Sequence, residues 1–133
     1  MSAGGYGSAL AGLHHLATFS VVESCSGYFR PTDPSGDHVV DRGSAAANAE
    51  ASTFTLVPSL AGALTRNPAY LAFYVGDADK RFAPDNVSLD QQLTAAGVAH
   101  TFEIYPGGHS WKLWDAHAEE WLGAALQRLA AAR

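Results

Sequence analysis

The chain is short of most residues that would point to an unusual protein class. It has a single cysteine, Cys25, so no disulfide can form within it. It contains one methionine and eight Lys and Arg, and those eight are scattered rather than clustered. A nucleic-acid-binding surface needs basic runs interleaved with aromatics; none is present, and the formal net charge is −5. No apolar run approaches the roughly 20 residues needed to span a bilayer. No charged segment followed by an apolar core opens the chain, so no signal peptide is visible. This absence implies a cytoplasmic location if the chain is complete, and leaves secretion open if a signal lies upstream. What remains is ordinary for a globular protein: 133 residues, 47% hydrophobic and 16% charged. That is enough to bury one core.

The apolar residues alternate between two periods. Gly4 to Leu16 carries Tyr6, Leu10, Leu13 and Leu16 at helical spacing. Phe19 to Cys25 is a β-branched, apolar run that predicts a buried strand. Tyr28 to Ser44, rich in Pro, Gly, Asp and Ser, predicts a long surface loop. Ala45 to Leu64 predicts alanine-rich helix interrupted at Pro58. Tyr70 to Val75 is a second strand, Pro84 to Ala96 a helix stopped by Gly97, and His100 to Tyr105 a third strand. The last helix, Trp114 to Ala131, presents Trp114, Ala118, Trp121, Leu122, Ala125 and Leu129 as one apolar stripe. Continuous apolar strands alternating with helices predict an α/β architecture, with about three parallel strands and helices on both sheet faces.

Chemistry in such sheets collects at the carboxyl ends of the strands. Two turns there are unusual: Gly76-Asp77-Ala78-Asp79 after the second strand, and Pro106-Gly107-Gly108-His109-Ser110-Trp111 after the third. An acid on one turn and a histidine on the next would be neighbours above the sheet. A carboxylate that takes the Nδ1 proton of an imidazole fixes its tautomer for acyl transfer. The nucleophile comes from the start of the chain. Met1-Ser2-Ala3-Gly4 matches the last four positions of Gly-x-Ser-x-Gly, the tight strand-to-helix elbow that exposes a serine hydroxyl. The chain order Ser, Asp, His is also that of the elbow fold.

These motifs resemble the putative-esterase family of α/β-hydrolases, which includes esterase D, feruloyl esterases and mycolyltransferases. Ser2-Ala3-Gly4-Gly5-Tyr6-Gly7-Ser8 resembles its elbow, and Ser24-Cys25-Ser26-Gly27-Tyr28-Phe29 a strand ending in Ser-Gly-x-Phe. Gly76-Asp77-Ala78-Asp79 is similar to Gly-x-x-Asp, and Gly107-Gly108-His109-Ser110-Trp111 with Trp114 to Gly-Gly-His-x-Trp-x-x-Trp. The resemblance implies that residues 1–133 form a single partial α/β-hydrolase domain, from nucleophile elbow to C-terminal helix, with the family's N-terminal strands missing. It implies a serine carboxylic-ester hydrolase with Ser2, Asp79 and His109 as triad and Ala3 N–H in the oxyanion hole. No metal or organic cofactor is implied, and the substrate would be a small-molecule or carbohydrate-linked ester. The family draws a second oxyanion donor from an upstream loop, so the isolated chain is expected to be inactive or barely active.

Each candidate has a plainer alternative. Asp77 competes with Asp79 as the acid, and either could be a turn aspartate. Trp111 and Trp114 are expected to pack near the base. His14, His15, His38 and His117 lack partners at metal-ligand spacing. Asp33 and Asp37 lie in the long loop where acyl-pocket elements often sit. Cys25 is expected to be a small buried thiol. The competing reading of the whole chain is a non-catalytic fragment or split-protein half, pairing through its exposed sheet edge with a second copy or a complementing N-terminal fragment.

Overall fold

In the computed structural model, residues 1–33, 35, 38–66 and 69–131 are described; Asp37 lies outside them. Eight elements follow one another: α1 (Ala3–His14), β1 (Val21–Cys25), α2 (Ala45–Glu50), α3 (Thr53–Arg66), β2 (Tyr70–Gly76), α4 (Ala83–Ala95), β3 (His100–Tyr105) and α5 (Trp111–Ala131). The strands form one sheet in the order β1-β2-β3, all parallel. Val21 pairs with Tyr70 and Cys25 with Tyr74, while Leu71 pairs with His100 and Gly76 with Tyr105. The expected α/β architecture is therefore present.

Side chains alternate across β2, so this central strand feeds two cores. Leu71 and Phe73 join Val22, Leu13, Val57, Leu89 and Leu93 under α1, α3 and α4. Ala72 and Tyr74 join Leu113, Trp114 and Trp121 under α5. Four glycines make α1 intrinsically poor helix, at about 1 kcal/mol each relative to alanine. Two of them let it approach the sheet. A Cβ on Gly12 would lie 2.2 Å from Val22, and one on Gly5 would lie 2.6 Å from Ser24 Oγ.

Two expectations need correction. Pro58 does not interrupt its helix: the break falls at Ala51 and Ser52, and α3 runs through the proline. Proline removes the N–H that would bond the Phe54 carbonyl; Gln92 Nε2–H donates to that oxygen instead, at 2.8 Å. The apolar stripe of α5 is only half buried. Trp114 and Trp121 face the sheet, but Leu122 is 61% and Leu129 43% exposed, with Leu126 beside them at 66%. Helical spacing selects a face; it does not say whether the sheet is broad enough to cover it.

Candidate active site

The elbow is strained in the way its motif requires. Ser2 has φ 52° and ψ −124°, a left-handed conformation rarely held by a residue with a side chain. Its N–H donates to Cys25 O at 2.9 Å, and its carbonyl accepts from Gly5 and Tyr6, so α1 starts at once. Ala3 N–H stands at the first helical position and meets no acceptor among the described residues. It therefore points the positive end of a helix at whatever lies before it.

The other two loops are fastened to each other. Asp77 N–H donates to Tyr105 O and Ala78 N–H to Gly107 O, each at 2.9 Å. Asp77 Oδ1 accepts from Gly107 N–H, also at 2.9 Å. Gly76 is required here, because a Cβ would lie 2.2 Å from the Gly107 carbonyl oxygen; Gly107 itself has φ 145°. These bonds engage Asp77 with the backbone and leave Asp79 to turn inward.

Asp79 is buried, its side chain 1% exposed, and its Oδ2 accepts the Nδ1 proton of His109 at 2.7 Å. The opposite ring nitrogen, Nε2, lies 2.9 Å from Ser2 Oγ and is placed to accept the hydroxyl proton. Residues 107 positions apart thus form one hydrogen-bonded row. Phe82 and Trp114 meet the imidazole at centroid distances of 5.1 and 5.0 Å. Sequence reasoning missed Phe82; its signal was a lone apolar residue three positions after Asp79 in a polar turn. Trp111, expected to pack, is 65% exposed and touches Trp114 edge-on.

An open cleft of about 310 Å³ adjoins Ser2 and Ala3, with Tyr28, Thr32, Asp33, Arg81 and Phe82 around it. Asp33 binds Ser35 Oγ and His38 Nδ1 at its edge. Behind the elbow, burial raises the Cys25 thiol and the Tyr74 phenol, which bond each other, and lifts Glu23 to about 7. A thiol shifted upward stays protonated and is a poor nucleophile, which leaves Cys25 in a packing role. Among the described residues, no group of three or more His, Cys, Asp or Glu is arranged to hold a metal, and no helix is long and apolar enough to cross a membrane.

Residues 1–122 match the model of the family described as Putative esterase. A ferulic acid esterase has a similar fold, with a TM-score of 0.75 and 22% identity over 96% of this chain and 49% of its own. The S-formylglutathione hydrolase of Staphylococcus aureus gives 0.72 and 23% over 93% of this chain and 48% of its own. The fluorophosphonate-binding serine hydrolase F of the same organism gives 0.73 and 22% over 93% and 51%. The chain thus spans about half the length of each. Among curated protein sequences none matches.

Proposed function

Because the chain belongs to the Putative esterase family, we propose that it carries the acyl-transfer chemistry of a serine carboxylic-ester hydrolase, with Ser2 as nucleophile, His109 as base and Asp79 as orienting acid. One observation carries the reading: the unbroken row from Asp79 Oδ2 through His109 to Ser2 Oγ, with steps of 2.7 and 2.9 Å.

In this reading Ser2 Oγ bonds to the ester carbonyl carbon while its proton passes to His109 Nε2. The carbonyl π electrons move to oxygen, and Ala3 N–H donates to the resulting oxyanion. Removing a single donor of this kind typically costs about 10²–10³ in rate. Collapse breaks the bond to the alkoxy group, which leaves as the alcohol with the proton from Nε2. Water then attacks the acyl-Ser2, gives its proton to Nε2, and the same steps in reverse release the acid and restore Ser2. Asp79 stays ionised throughout, balancing the imidazolium. The ester, small-molecule or carbohydrate-linked, would lie in the cleft between Ser2, Tyr28 and Phe82. No observation favours the non-catalytic reading, so it is set aside.

A fluorophosphonate probe tests the assignment. The expected result is one adduct on Ser2 by peptide mass spectrometry, absent in Ser2→Ala and reduced to background in His109→Ala. A folded protein that forms no adduct even when the family's upstream strands are supplied, or one labelled elsewhere, refutes it.

A further inference from the structure

We propose that Trp114 is a positioning residue that ties His109 to the elbow through the segment Cys25-Ser26-Gly27; this rests on the Ser2–His109 reading above. The buried indole touches the imidazole edge-on, with centroids 5.0 Å apart and planes at 87°. Its Nε1–H donates to Ser26 Oγ at 3.0 Å. One side chain therefore contacts the base with its ring and grips another loop with its only polar atom.

That other loop holds the nucleophile at two points. Cys25 O accepts the N–H of Ser2 at 2.9 Å. Gly27 abuts the first turn of α1: a Cβ built there would lie 3.1 Å from the Gly5 carbonyl carbon and 3.2 Å from Tyr6 N. Ser26, between them, is wholly buried, has φ 48°, and donates its N–H to Tyr74 O at 2.7 Å. A serine persists in this conformation only where surrounding contacts over-determine it, and the indole bond is one such contact. Ser26 is thus held from both sides, by the sheet and by Trp114. Any drift of Ser26 moves Cys25 O and Gly27 together, and with them Ser2 Oγ relative to His109 Nε2. Proton transfer is sensitive to such drift, since misplacement by about 1 Å can cost about 10²-fold in rate.

The substitutions Ser26→Ala and Trp114→Phe remove the same hydrogen bond from opposite ends, the second keeping an aromatic ring against His109. Two readouts apply: the saturation kinetics of fluorophosphonate labelling at Ser2, and the downfield proton resonance of His109 Nδ1–H in the Asp79 bond. Each variant is expected to lower the limiting labelling rate about tenfold, with the saturation constant unchanged. The double variant should be no slower than the worse single, because both act through one bond. The His109 resonance should shift or broaden in both. Loss of packing alone would not produce that non-additivity, and circular dichroism melts show whether Trp114→Phe folds; Ser26→Ala, which deletes one buried oxygen, carries the test if it does not. Unchanged rates and an unchanged resonance in both singles, or a double-variant loss equal to the product of the two, overturn the proposal. A wild-type protein that forms no adduct even when the family's upstream strands are supplied defeats the catalytic reading instead, and the resonance alone then decides whether Trp114 positions His109.

Discussion

The loops at the carboxyl end of the sheet are built in two ways. Those after β2 and β3 are short, are bonded to each other through Asp77, Ala78, Tyr105 and Gly107, and bury Asp79 beneath His109. The loop after β1 is long, and beyond Phe29 its bonds are mostly local and exposed, such as Asp41 with Gly43 and Asn48. Short loops zipped backbone to backbone hold the 2.7 Å contact between Asp79 and His109 in place. The long loop contributes Tyr28, Thr32 and Asp33 to the cleft and is tied to α4 through the Arg30–Asp85 pair. Under the proposed reading, the two short loops would hold Asp79 against His109 and the far part of the long loop would shape the cleft.

The largest test of this division is Asp79→Asn. It keeps the shape of the loop but offers His109 the wrong partner and, under the proposed reading, should cut the labelling rate at Ser2 by up to about 10⁴-fold with little change in melting temperature. An unchanged rate would mean that the buried carboxylate is not the orienting group. Next in size is Gly76→Ala. Its methyl would collide with the Gly107 carbonyl oxygen, 2.2 Å away and part of the backbone, so the two loops must separate. A loss of about 1–3 kcal/mol in urea unfolding is expected, and unaltered stability would show the loops are not locked there.

Glu23, on the strand leading into the long loop, gives a pH signature. Burial raises its carboxyl from 4.5 to about 7 in the folded chain. A carboxyl with a higher pKa when folded stabilises the fold while protonated, so this contribution is complete below pH 4.5 and lost as pH rises through 7. Glu23→Gln should flatten the fall in chemical-denaturation midpoint across that window; an identical pH profile would contradict the burial. Asp77→Ala removes a carboxylate bond to Gly107 N–H and should cost about 1 kcal/mol and a modest share of the labelling rate at Ser2. The smallest effect is predicted in the long loop. Asn48, through its side chain, and the Gly43 N–H hold the Asp41 carboxyl below its usual pKa, but this group is fully solvated. Asp41→Ala should leave both melting curve and labelling rate unaltered, and a clear loss in either would break the contrast between the loops.

Much of the molecule was legible in the amino acids because local physics dictated it. The apolar run of β2 marked a strand buried on both faces, whereas β3, equally legible as a strand, leaves Ile104 47% exposed; Gly97, with φ 66°, stops α4 as glycines do. Gly76, Gly107 and Gly108 announced tight turns at the strand ends, and the order Ser2, Asp79, His109 suggested the row of hydrogen bonds. Other features belong to the tertiary structure alone, because they depend on what another segment supplies. Pro58 sits inside α3 because Gln92 serves the orphaned carbonyl. The turn alone offers both Asp77 and Asp79, and only a family resemblance favours Asp79; the approach of Gly107 draws the one to the backbone and leaves the other to the imidazole. Leu122 and Leu129 follow the helical period yet face solvent, since periodicity names a face but the width of the sheet decides how much is covered. The bond from Trp114 to Ser26 joins residues 88 positions apart, a distance over which no local pattern carries information.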